Sequence, residues 1–142
     1  MRYLLDTDHL SILQRQSGPE HAAVMSRIAQ HPPGDLALSI ISFHEQVLGC
    51  HTYIGRARGS SDTVRGYWML AQVLRDFAAA LVVPFDAAAA AVFDGLLAQR
   101  LRVQTLDLRI ASIALSRGMV LLTRNVSDFG KVPGLQVEDW TV

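Results

Sequence analysis

The chain has one cysteine, one lysine, no excess of charge of either sign and no long apolar run. A single cysteine, Cys50, can neither staple the fold nor build a thiolate metal site, which suits a reducing compartment. With 13 basic and 13 acidic residues the formal net charge is zero, so the chain does not advertise itself as a polyanion binder. Any such contact must come from a local patch or through bound cations. No apolar stretch approaches the roughly 18 residues of a membrane span. No basic segment followed by a long apolar stretch opens the chain, so a cytoplasmic protein without a secretory signal is expected. The five histidines are scattered and form no HxxxH or HExxH pair, which disfavours zinc.

What is present describes a folded domain. Half the residues are hydrophobic, 18% are charged and mean hydropathy is +0.23, too apolar for a disordered chain. At 142 residues, one domain spanning positions 1–142 is expected. Short apolar runs, "YLL", "LALSII", "LVVPF", "MVLLT" and "LQVEDW", read as buried strands. Between them lie helical patterns: from near His9 to Gln16, Pro19 to Gln30, "SFHEQVLGCHTYIG", Asp62 to Ala80, Asp86 to Arg100, and Leu106 to Arg117 ending at Gly118. Short apolar strands alternating with helices predict an α/β fold: a three-layer α/β/α sandwich with a mainly parallel central sheet of four to five strands.

Acids recur where strands end, the edge at which open α/β sheets bind ligands. Asp6 and Asp8 follow the first strand, and Glu45 follows the second. Asp107 starts the helix that leads into the fourth strand, and Asp128 comes just after that strand. Each has a plain structural explanation. Asp8 or Thr7 reads as the N-cap of the first helix. "SFHE" reads as a capping box, with Ser42 at the cap and Glu45 reaching back. Thr105 is a candidate cap that leaves Asp107 in a first turn favourable to acids, and Asp128 fits a turn. Asp6 fits such an explanation worst, because it follows an apolar strand where an unpaired carboxylate is costly. Were Asp6, Glu45, Asp107 and Asp128 to converge, their repulsion would call for a cation. All-oxygen ligation favours Mg²⁺ or Mn²⁺, and such a cluster suits phosphodiester hydrolysis by a metal-activated water.

Four stretches together carry a family resemblance. "YLLDTDHLSIL", "LSIISFHEQVLG", "TLDLRIASIAL" and "MVLLTRNVSDFGKVPGLQVEDW" run in order from the N-terminus to Trp140. The whole chain resembles the PIN-domain proteins, and specifically the VapC-type toxins of toxin–antitoxin pairs. The resemblance implies a Mg²⁺- or Mn²⁺-dependent ribonuclease. Asp6, Glu45 and Asp107 would be its metal carboxylates and Asp128 the fourth acid, with Thr7, Asp8, Thr123 and Asn125 lining the pocket. It also implies an RNA substrate, a homodimer, and a small antitoxin that joins it in a heterotetramer or larger complex. Two departures stand out: Gln104-Thr105-Leu106 replaces a glycine-containing turn, and I-A-S replaces I-A-A.

Arg109, Arg124 and Lys131 lie near the motifs and are candidate phosphate contacts, or ordinary surface charges. "LLDTDHLS" also resembles the opening of haloacid-dehalogenase-like phosphatases, whose aspartates act as nucleophile and acid/base. That family needs a lysine ahead of its late acid, and the single lysine here lies behind Asp128. A third reading is a non-catalytic α/β interaction module. Tyr67, Trp68 and Met69 are assigned to core packing, with a groove for an antitoxin helix as the alternative.

Overall fold

The computed structural model describes residues 2–142. Strand β1 (Tyr3–Leu5) leads into helix α1 (Thr7–Arg15), then α2 (Pro19–Ile28), a 3-10 turn (Pro33–Asp35), β2 (Leu36–Ser39), α3 (Ile40–Gly55) and α4 (Ser60–Ala78). Strand β3 (Val82–Val83), α5 (Ala87–Ala98), α6 (Thr105–Arg117), β4 (Val120–Leu122), α7 (Val126–Phe129) and β5 (Val137–Glu138) complete the order. The strands form one sheet in the order β3-β2-β1-β4-β5, with every pairing parallel. The expected five-strand sheet is therefore present, wholly rather than mainly parallel.

The two-residue period of the strands separates two cores. Leu4, Ala37 and Leu121 point towards α5 and α6, joining Ala89, Leu96, Ile110, Ala111, Ile113 and Ala114. Tyr3, Leu5, Leu38, Val120 and Leu122 point the other way, joining Leu10 and Ile12 of α1, Val24 of α2, Cys50 of α3 and Val73 and Phe77 of α4. Helices thus cover both faces, as the strands' unbroken apolar character requires. Trp140, fully buried, closes the second core near the C-terminus, packing against Tyr3 and His31 at ring-centroid distances of 4.8 and 5.1 Å.

Local chemistry explains several boundaries. Pro19 occupies the first turn of α2, where a missing N–H is harmless. Asp86 caps α5 by accepting from Ala89 N–H at 3.0 Å. Gly118, at φ 62°, ends α6 in the left-handed region and turns the chain directly into β4. Helices α3 and α4 pack so closely that a Cβ on Gly66 would lie 2.5 Å from Ile54 Cγ1.

Three caps differ from expectation: α6 starts from Gln104, with Thr105 its first helical residue and not its cap. Helix α1 starts on Asp6, whose Oδ1 accepts from Thr7 N–H at 2.8 Å, not on Thr7 or Asp8. Helix α3 starts one turn early, on Ser39, whose hydroxyl accepts from Ser42 N–H at 3.1 Å. Ser42 and Glu45 are thereby interior helix positions, so Glu45 is not consumed as the partner of a capping box. Helix α7, only four residues long, was too short to leave a periodic signal.

Candidate active site

The chain leaves β1 for β2 and β3 on one side and returns to β4 and β5 on the other, so the sheet changes direction between β1 and β4. Ligands of open α/β sheets bind at the carboxyl ends of such neighbouring strands. Asp6 and Thr123 are the first residues beyond those two ends. The junction is knit by Asp6 N–H donating to Leu122 O at 2.9 Å.

Asp6 is buried, with 6% of its surface exposed. Burial, then the negative charge of Asp8, raise its carboxyl pKa to about 7. Its Oδ1 serves the helix cap, while Oδ2 lies 2.8 Å from Thr123 Oγ1. Thr123 Oγ1 also accepts from Asn125 N–H and stands 3.1 Å from Asp8 Oδ2. One hydroxyl proton cannot serve two carboxylates. With Asp6 protonated, its own O–H donates to Thr123 and the threonine proton passes to Asp8. Asp8 accepts further from Arg124 N–H at 2.9 Å and from His9 Nδ1 at 2.7 Å, and these partners hold its carboxyl below the usual range despite burial.

Glu45 reaches the same edge from α3. Thr7 Oγ1 lies 3.0 Å from Glu45 Oε1 and 3.0 Å from the buried Ser42 Oγ, linking the first and second acidic motifs. Asp107, in the first turn of α6, has its carboxyl raised by burial and then by the charges of Glu45, Asp128 and Asp8. Asp107 thus lies within electrostatic reach of Glu45, Asp128 and Asp8, and Asp6 within reach of Asp107. Asp128 is the exception in character. It is half-exposed, accepts from Asn125 Nδ2 and Lys131 Nζ at 3.1 Å each, and is held low by them. Among the described residues, no three acidic, histidine or cysteine side chains close into a preassembled metal-holding group.

The sequence-selected basic residues are spread around this edge. Lys131 bridges Asp128 and the Arg102 carbonyl, Arg124 faces Glu20 at 3.7 Å, and Arg109 lies over the Phe93 ring at 5.5 Å. The I-A-S departure is accommodated, because buried Ser112 donates to Leu108 O at 2.7 Å within its own helix. The changed turn before Asp107 is accommodated too: Gln104 supplies no side-chain cap, yet its carbonyl accepts from Leu108 N–H and starts α6. Sequence reasoning did not pick out His9, Ser39 or Ser42 as part of this network. Polar residues one to three positions from each acidic motif were the available signal.

Tyr67 and Trp68 do not fill the core as assigned; they are 56% and 61% exposed. Trp68, half-buried Met69, Leu10, Leu13 and Tyr53 line a groove of about 940 Å³ between α1, α3 and α4.

No family model matches the chain. A 34-residue segment, 24% of the chain, is 47% identical to the tRNA(fMet)-specific endonuclease VapC of Salmonella typhimurium and spans 26% of that protein. Whole-chain likeness comes from solved structures. VapBC-1 of nontypeable Haemophilus influenzae aligns over 100% of both chains, with a TM-score of 0.78 and 24% identity. DNA-bound VapBC of Salmonella typhimurium aligns over 99% of this chain and 98% of that one, with a TM-score of 0.77 and 23% identity. A toxin–antitoxin complex from Klebsiella pneumoniae covers 97% of each chain at a TM-score of 0.67 and 21% identity. These likenesses bear out the resemblance carried by the four motifs: the chain has the PIN fold of the VapC structures.

Proposed function

We propose that the protein is a metal-dependent endoribonuclease and the toxin of a toxin–antitoxin pair. The observation that carries this reading is the placement of Asp6 and Glu45, both held by Thr7, at the carboxyl edge of a PIN-fold sheet, with Asp107 in electrostatic reach of both. Two of these acids are pushed up by burial and by acidic neighbours, which is the environment a cation relieves. The donors are all oxygen, which suits a hard ion such as Mg²⁺ or Mn²⁺.

Asp6, Glu45 and Asp107 would hold the ion, with Asp128 acting on a second ion or through water. When bound, the metal supplies charge neutralisation at the phosphate and acidifies a water for attack at phosphorus. The chain's own contribution is orientation. Thr123 fixes the free oxygen of Asp6, Thr7 fixes Glu45, and Asn125 holds Asp128. Arg124 and Lys131 stand exposed beside these acids and would contact RNA phosphates, whereas Arg109 would first have to leave Phe93. Lys131 donates to Asp128 and the Arg102 carbonyl, not to Asp6 or Asp8, so the phosphatase alternative gains no support.

The interaction reading is retained as a second property of the same molecule. The groove beneath Trp68 is apolar along its floor and edged by glutamines, a surface that suits an amphipathic helix of an antitoxin. A cytoplasmic homodimer, joined by antitoxin into a heterotetramer or larger assembly, completes the proposal. The test is cleavage of total RNA with Mg²⁺ or Mn²⁺, with and without EDTA. Metal-dependent cleavage that Asp6→Asn abolishes supports the site. Undiminished cleavage by that variant, with contaminating nuclease excluded, overturns it.

A further inference from the structure

His9 is fully buried beside the acidic edge, yet none of the proposed metal carboxylates touches it. Its Nε2 accepts from the Trp140 backbone N–H at 3.1 Å, which leaves the ring proton on Nδ1. Nδ1 donates to Asp8 Oδ1 at 2.7 Å. With both nitrogens engaged the ring cannot turn, and a buried imidazole is tolerated only because both are satisfied.

The position of that donor has a consequence for Asp6. Thr123 has a single hydroxyl proton and two carboxylate neighbours, Asp6 Oδ2 at 2.8 Å and Asp8 Oδ2 at 3.1 Å. Asp8 is already supplied by His9 on one oxygen and by Arg124 N–H on the other. Thr123 Oγ1 lies nearer Asp6 Oδ2 than Asp8 Oδ2, so with Asp8 supplied by two other donors the Thr123 proton is free to turn to Asp6. Loss of the His9 donor would leave Asp8 short of a partner, competing for the same proton and free to rotate.

We propose that His9 is a positioning residue, acting through Asp8 and Thr123 to set the orientation of the Asp6 carboxylate. This rests on the metal-nuclease reading and extends it.

Two substitutions divide the imidazole's roles. His9→Asn keeps an N–H₂ donor near the Nδ1 position but cannot reach Trp140. His9→Gln reaches the Nε2 position and can accept from Trp140, but loses the donor to Asp8. Mn²⁺ binding is measured by calorimetry, alongside circular dichroism and thermal melts that establish folding. The expected result is a Kd within about threefold of wild type for His9→Asn and about 10- to 100-fold weaker for His9→Gln. Adding His9→Gln to Thr123→Val is expected to weaken binding no further than Thr123→Val alone. Wild-type affinity in folded His9→Gln overturns the inference. So does weakened binding in folded His9→Asn, which serves by itself if His9→Gln does not fold, or additivity with Thr123→Val. A folded wild-type protein that binds no Mn²⁺ overturns the underlying metal reading instead.

Discussion

Asp6 and Asp128 belong to the same candidate site but are held by opposite means. Asp6 is buried behind β1, with a carboxyl pushed up to about 7 by desolvation and by Asp8. Asp128 stands half-exposed on α7, with Lys131 and Asn125 holding its carboxyl low. Among the described residues Asp6 has no cationic partner, whereas Asp128 already has one. The difference teaches that charge alone does not rank the acids. A buried carboxylate gains most from a cation, whereas an exposed pair such as Lys131–Asp128 contributes little.

The sharpest way to break this contrast is Asp6→Asn. It is expected to lower metal-dependent RNA cleavage by at least about 100-fold, measured on a defined RNA, since it removes a carboxylate from the reacting centre. The same variant is expected to stabilise the metal-free fold above pH 7 by roughly 1–3 kcal/mol in urea melts, because an uncompensated buried charge is gone.

A pH series separates the two acids next. A folded-state pKa raised above the unfolded value of 3.8 means that the native protein holds a proton the unfolded chain has released. Its contribution to stability is fully present below about pH 3.8 and is lost progressively as pH rises through about 7. Wild type without metal should therefore lose stability between about pH 4 and 7, while Asp6→Asn loses less over that range. Mn²⁺ should raise the melting temperature more at pH 8 than at pH 5.5.

Asp128→Asn is expected to reduce cleavage by about tenfold, less than Asp6→Asn, with little change in the urea midpoint. Lys131→Ala is the mildest change. Thermal melts should show a stability difference within about 0.5 kcal/mol, because the ion pair is half-exposed. A large destabilisation by Lys131→Ala would show that the outer pair is structural, and the contrast with Asp6 would fail.

Much of this architecture was legible in short stretches. "YLL" and "VLL" are apolar at every position because helices cover both sheet faces, and that pattern alone identifies parallel strands. Asp86 and Gly118 announced their caps through local chemistry. Helix α7 did not show, because four residues hold barely one turn. The caps of α1, α3 and α6 were misplaced by one or two, three and one residues respectively, since Thr7, Asp8, Ser42 and Thr105 are each good cap residues on local grounds. In α1 and α3, which residue caps depends on where the preceding strand stops pairing with its neighbour.

In the candidate site, the four acids were legible because each follows or precedes a recognisable element, and the motifs carry a family pattern. The hydrogen bonds among Thr7, Glu45, His9, Asp8, Thr123 and Trp140 were not. Apart from the neighbours Asp8 and His9, they join residues between 38 and 131 positions apart, and nothing local encodes which of them meet.

Residue order and local propensity thus determined the strands, most helices and the kinds of side chain available at the sheet's edge, because those follow from short-range sterics and apolar periodicity. Tertiary packing decided that Asp6 would be buried and Asp128 exposed, that His9 would face Asp8, and that Tyr67 and Trp68 would stay uncovered. Burial and the local dielectric are set by which distant segments come together, and they govern what each charge can do.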